Sequence, residues 1–159
     1  MSRPERQFRE AHRLARSLVP ASGDPQELLA AVSRHLDRPL KLVEAELGGP
    51  SALWVGLPTM DVILVETSAS PSRRMVSITH EVSHILLGHG EDTTVTDETL
   101  TALLPDLSPA LVQRILRRHH HEGKQEEDAE RLGTILASEM SVNAALYDIV
   151  GHPVSRRLR

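Results

Sequence analysis

Cysteine is absent from this 159-residue chain, and Phe8, Trp54 and Tyr147 are its only aromatic residues. Without cysteine there is no disulfide framework and no thiolate metal site, so any bound metal must be held by His, Asp or Glu. Three rings make no stacking platform for single-stranded nucleic acid, and the core has to be packed with Leu, Val, Ile, Ala and Met. The formal net charge of −4 also lacks the basic footprint of a phosphate-binding surface, despite the Arg-rich start and the closing RRLR. Direct nucleic-acid binding is therefore not expected. Long apolar runs are missing too: nothing approaches a membrane span, and no run of signal-peptide length follows the basic N-terminus. No membrane partner is expected, and the cytoplasm is the expected location.

A chain of 159 residues, 40% hydrophobic and 25% charged, suffices for one ordinary core, so a single domain over 1–159 is expected. Residues 3 to 19 place Phe8, Ala11, Ala15 and Leu18 on one helical face before Pro20 ends the run. Asp24 then offers an N-cap, Pro25 a first helical residue and Glu27 a capping partner for a second helix over 25–36, completing an N-terminal helical region. From Pro39 the pattern shortens. LKLVEAEL, ALWV and DVILVE, separated by Gly48-Gly49-Pro50 and by Gly56 and Pro58, predict about three strands. DVILVE fits either an edge strand beside the next helix or a central strand buried on both faces, with ALWV as the other possible edge. Ser70 and Pro71 open a third helix that runs to Gly88 or Gly90. DETLTALL and SPALVQRILRRHHH predict two short helices in a helical insertion over 91–124, and a last helix covers roughly 125–148. The expectation is α+β, a small three-stranded sheet packed with five to six helices.

The third helix carries THEVSHILLGHG, residues 79 to 90. His80, Glu81 and His84 match H-E-x-x-H, in which histidines four apart project from one side of a helix toward one metal ion and the Glu beside them serves as general base. Met75, Ile78, Val82, Ile85 and Leu86 gather on the opposite side, so the histidines stand away from the main apolar stripe, in a position suited to a cleft floor. Two histidines leave zinc short of a third protein ligand. The metzincin pattern would need Gly at 87 and His at 90, where this chain has Leu87 and Gly90; His89 is one residue out of register and reads as a helix-end residue. The third ligand is therefore sought in the acidic start of the last helix, KQEEDAERLGTIL, to give a His2Glu set. Ala129, Leu132, Leu136, Met140, Ala144 and Tyr147 mark the expected buried stripe of that helix. At 100° per residue Glu126 lies about 55° from its centre, Glu130 about 95° and Glu127 about 155°. Glu126 is best placed to reach a metal, with Glu127 and Asp128 as the alternatives, and Glu130 is a candidate to hydrogen-bond a ligating histidine.

THEVSHILLGH and EEDAERLGTIL together resemble the two signature blocks of the ImmA/IrrE-type metallo-endopeptidases of bacteria and their phages, over about residues 40 to 140. The resemblance implies a zincin-like fold of the gluzincin type, with zinc on His80, His84 and Glu126 and Glu81 as catalytic base. It also implies a protein substrate, typically a helix-turn-helix repressor cleaved in a stress or mobile-element response. The chain departs from the family's second block at Asp128, where Glu is usual, at Glu130, where Asn is usual, and at Leu132-Gly133, where Phe-Ala is usual. These departures support an alternative: a metal-binding regulatory or toxin-antitoxin partner that hydrolyses nothing. His119, His120 and His121 could add a substrate or oxyanion contact, but they read first as an exposed helix end.

Overall fold

The computed structural model describes residues 1–56, 59–89 and 123–155. They form an α+β arrangement in the order α1 (Arg3–Leu18), α2 (Pro25–Leu36), β1 (Leu40–Ala45), β2 (Ala52–Gly56), β3 (Asp61–Glu66), α3 (Pro71–Leu86) and α4 (Gly123–Ser155). Four helices are thus present among the described residues, against an expectation of five to six; the two short helices expected within 91–124, and His119 to His121, lie outside them. No helix among the described residues is long and apolar enough to cross a membrane.

Helix boundaries follow their capping chemistry. Ser2 and Glu5 form a reciprocal capping box at the start of α1, and the Asp24 side chain accepts from the Gln26 N–H ahead of α2. Ser70 accepts from the Arg73 N–H, with Pro71 as the first residue of α3. Each such cap stabilises its helix by about 1 kcal/mol, by supplying an acceptor to an N–H that has no partner within the helix.

The sheet has the order β1-β3-β2, with β1 parallel and β2 antiparallel to β3. Of the two readings open for DVILVE, the central strand holds. Asp61 to Val65 are all buried, which explains an unbroken apolar run in place of alternation. Ile63 and Val65 join the main core, while Val62 and Leu64 on the other face lie opposite Val55 and Leu53 of β2. The Asp61 N–H donates to Pro39 and the Glu66 N–H to Ser51, so odd-numbered amides of β3 serve β1 and even-numbered ones serve β2. The same alternation turns the N–H groups of Ala52, Trp54 and Gly56 away from β3. Among the described residues β2 is therefore the edge strand beside α3.

Helix α3 packs on β2 and β3 with one side and on α4 with the other. Phe8, Ala11 and Ala15 of α1 and Leu28, Leu29 and Val32 of α2 complete the core with Ile78, Val82, Leu132, Leu136 and Met140. Among the side chains described on α4, Met140 is the last that is buried; Tyr147, expected in the buried stripe, is 46% exposed.

Candidate metal centre

The histidine-bearing side of α3 is not the open floor of a cleft; α4 lies across it. Thr79 and Ser83, both fully buried there, direct their hydroxyls back to Met75 O and Thr79 O at 2.8 and 2.7 Å. Their polar atoms are thus satisfied within α3, and the surface they leave is low enough for a second helix to approach closely. Gly133 supplies the matching gap on α4: a Cβ at this position would stand 3.0 Å from His80 Cα and 3.1 Å from His80 N. Glu126 precedes Gly133 by seven residues, almost two full turns, so both lie on the same side of α4.

That crossing brings the three expected ligands together. His84 Nε2 lies 3.1 Å from Glu126 Oε1, His80 Nε2 3.3 Å from Glu126 Oε2, and the two Nε2 atoms are 3.1 Å apart. His80, His84 and Glu126 could therefore hold a metal ion. Nitrogen and oxygen ligands at about 2.0–2.1 Å on a tetrahedral zinc stand about 3.3 Å from one another, close to the edges of this triangle. Hydrogen bonding alone accounts for it poorly: if each neutral ring donates from Nε2 to the carboxylate, two N–H groups face each other with no acceptor between them. A cation satisfies all three corners. The residues present thus fit a zinc ion. His84 is 1% exposed, whereas the side chain of Glu126 is 48% exposed, so the triangle is anchored in the interior and opens beside α4.

The other acidic positions separate as helical geometry requires. Glu127 is exposed, and Asp128 pairs with Lys124 at 2.9 Å within α4. The hydrogen bond expected from Glu130 to a ligating histidine does not form. Glu130 is exposed and makes no such contact among the described residues, because its position has turned some 40° past that of Glu126, onto the flank of α4.

Glu81 is buried, and its Oε2 accepts a 3.2 Å hydrogen bond from the Trp54 N–H of β2. Burial raises its pKa to about 7, the Trp54 N–H opposes that shift, and the negative charge of Glu126 adds to it. A carboxyl poised near neutrality can exchange a proton in either direction, as acid–base work beside a metal requires.

Two contributors were missed in the sequence. His89 is buried, and its Nδ1 lies 3.0 Å from His84 Nδ1. Gly88, at φ 75°, was the available signal, since a left-handed residue just past a helix folds the next side chain back over the last turn. Gly133 was visible only as a departure from the family pattern. Gly133→Val is expected to push α4 off His80 and weaken metal binding by more than tenfold in a competitive chelator titration, with Gly133→Ala much milder. Unchanged affinity in the valine variant would dissociate the helix crossing from the metal centre.

The chain matches no protein-family model and no curated protein.

Proposed function

We propose that this protein is a zinc-dependent endopeptidase with a zincin-like site, in which His80, His84 and Glu126 hold the metal and Glu81 is the general base. The observation that carries this reading is the triangle of His80, His84 and Glu126 with zinc-like spacing, with Glu81 adjacent to it on α3. When bound, zinc supplies a Lewis acid that brings the pKa of a coordinated water near 7 and polarises the scissile carbonyl. Glu81 accepts the proton of the attacking water and returns it to the leaving amine nitrogen. The Trp54 N–H holds that carboxylate in place from the edge strand. The resemblance to the ImmA/IrrE family supports a protein substrate, with a helix-turn-helix repressor as the first candidate.

The test is elemental analysis of untagged protein, with one zinc per chain expected, followed by cleavage of candidate repressors that stops on chelation and returns with zinc. Zinc-loaded protein that cleaves none of them would favour the non-hydrolytic regulatory partner.

An extended peptide would enter along β2, whose outer edge passes Glu81 at Trp54. Proline at Ala52, which removes an outward-facing N–H, is expected to cut peptide cleavage at least fivefold while sparing zinc content and the cooperative thermal transition. Proline at Ile63 serves as the contrast: it deletes a ladder bond of the central strand and should abolish the transition. Full cleavage by the Ala52→Pro variant would move the substrate away from this edge.

A further inference from the structure

His84 and His89 form a buried imidazole pair whose role is not explained by helix termination. The end of α3 shows how the pair is built. Leu87 N–H donates to Ser83 O, Gly88 N–H to Ile85 O, and His89 N–H to His84 O at 2.9 Å. With Gly88 in the left-handed region, this is the Schellman arrangement, in which the residue two past the cap folds back onto the residue three before it. Those two positions usually carry an apolar contact. Here they are His89 and His84, with ring centroids 5.2 Å apart and Nδ1 facing Nδ1 at 3.0 Å.

His89 stands outside the ligand group of His80, His84 and Glu126: it meets Nδ1 of His84, whereas His80 and Glu126 face Nε2. We propose that His89 is a positioning residue for the metal centre: its Nδ1 accepts a hydrogen bond from His84 Nδ1–H, fixing His84 in the tautomer whose Nε2 lone pair is free for zinc. This inference rests on the zinc reading of the triangle. A ligating histidine needs an acceptor on its second nitrogen, which sets the tautomer, orients the ring and raises its basicity. Carboxylates and backbone carbonyls commonly fill that place; here a second imidazole does, carrying its own proton on Nε2. The pair also assigns Gly88 a role, since only a residue at ease at positive φ delivers His89 to this position.

The experiment compares zinc affinity of the wild type, His89→Phe and His89→Asn by chelator competition, together with ring 15N spectra of the zinc-loaded wild type. Phenylalanine fills the space without an acceptor, and asparagine restores an acceptor oxygen close to the position of Nδ1. The expected result is a 10- to 100-fold loss of affinity in His89→Phe and a loss of no more than about threefold in His89→Asn. The spectra should show His84 protonated at Nδ1 and metal-bound at Nε2, with His89 unprotonated at Nδ1. Affinity in His89→Phe within threefold of wild type, equal losses in the two variants, or His84 bound through Nδ1 would each overturn the proposal while leaving the zinc site standing. Wild-type protein that takes up no zinc would overturn the function itself, and this inference with it.

Discussion

Replacing His80 or His84 with alanine is expected to abolish tight zinc binding, while Glu126→Ala weakens it at least tenfold and Glu127→Ala leaves it within about twofold of wild type. The magnitudes follow from ligand number. Structural four-ligand zinc sites in small peptides contribute about 10–16 kcal/mol; a similar share of roughly 3–4 kcal/mol per ligand here corresponds to a loss of several hundredfold for either histidine. Glu126 is given the smaller loss because its half-exposed carboxylate sits where water can take its place. The contrast with Glu127 is the discriminating part of the experiment. The two residues carry the same charge one position apart on α4, so a purely electrostatic attraction of the acidic helix start for a cation would be reduced equally by either change. Direct ligation depends on which of them faces His80 and His84, and only Glu126 does, at 3.3 and 3.1 Å. Equal losses from the two alanine variants, measured by chelator competition on protein with a native thermal transition, would remove Glu126 from the site.

How far the sequence anticipates this arrangement depends on the range of the forces involved. The start of α2 at Pro25 and of α3 at Pro71 could be read directly, because Asp24-Pro25 and Ser70-Pro71 are local caps whose chemistry is complete within a few residues. The position of Glu126 relative to Glu127 could also be read, since the 3.6-residue period alone separates them. The order of the sheet could not. Parallel pairing of β1 with β3, with β2 placed outside, depends on which apolar faces α2 and α3 cover, and no local pattern encodes that. Burial of the histidine side of α3 escaped for a similar reason. Thr79 and Ser83 look polar in sequence, yet they bond within α3 and leave room for α4. Gly133 completes that contact from a residue over fifty positions away, and its meaning exists only once the two helices cross.

Glu81→Gln is expected to keep the fold and the zinc but to lower peptide cleavage by about 10²- to 10⁴-fold, the range of a lost general base. The amide is nearly isosteric, and its oxygen can still accept from the Trp54 N–H, so the contact between β2 and α3 survives. A second consequence of the same substitution does not depend on activity. Burial, with a smaller contribution from Glu126, raises the pKa of Glu81 from 4.5 to about 7, which means that folding favours the neutral acid. For a group raised in the folded state, the stabilisation is fully present below the unfolded value and is lost as pH rises through the folded one. In chelator-treated wild-type protein, the part of stability due to Glu81 should therefore decline between about pH 4.5 and 7, by up to about 3 kcal/mol. Glutamine does not titrate and carries no such loss. The difference in thermal midpoint between Glu81→Gln and wild type should be small near pH 5 and should favour the variant by several degrees at pH 8. A difference that stays constant from pH 5 to 8 would place the Glu81 carboxylate in contact with water and remove the basis for its raised pKa. Cleavage retained by the zinc-loaded variant would separately exclude Glu81 as the base.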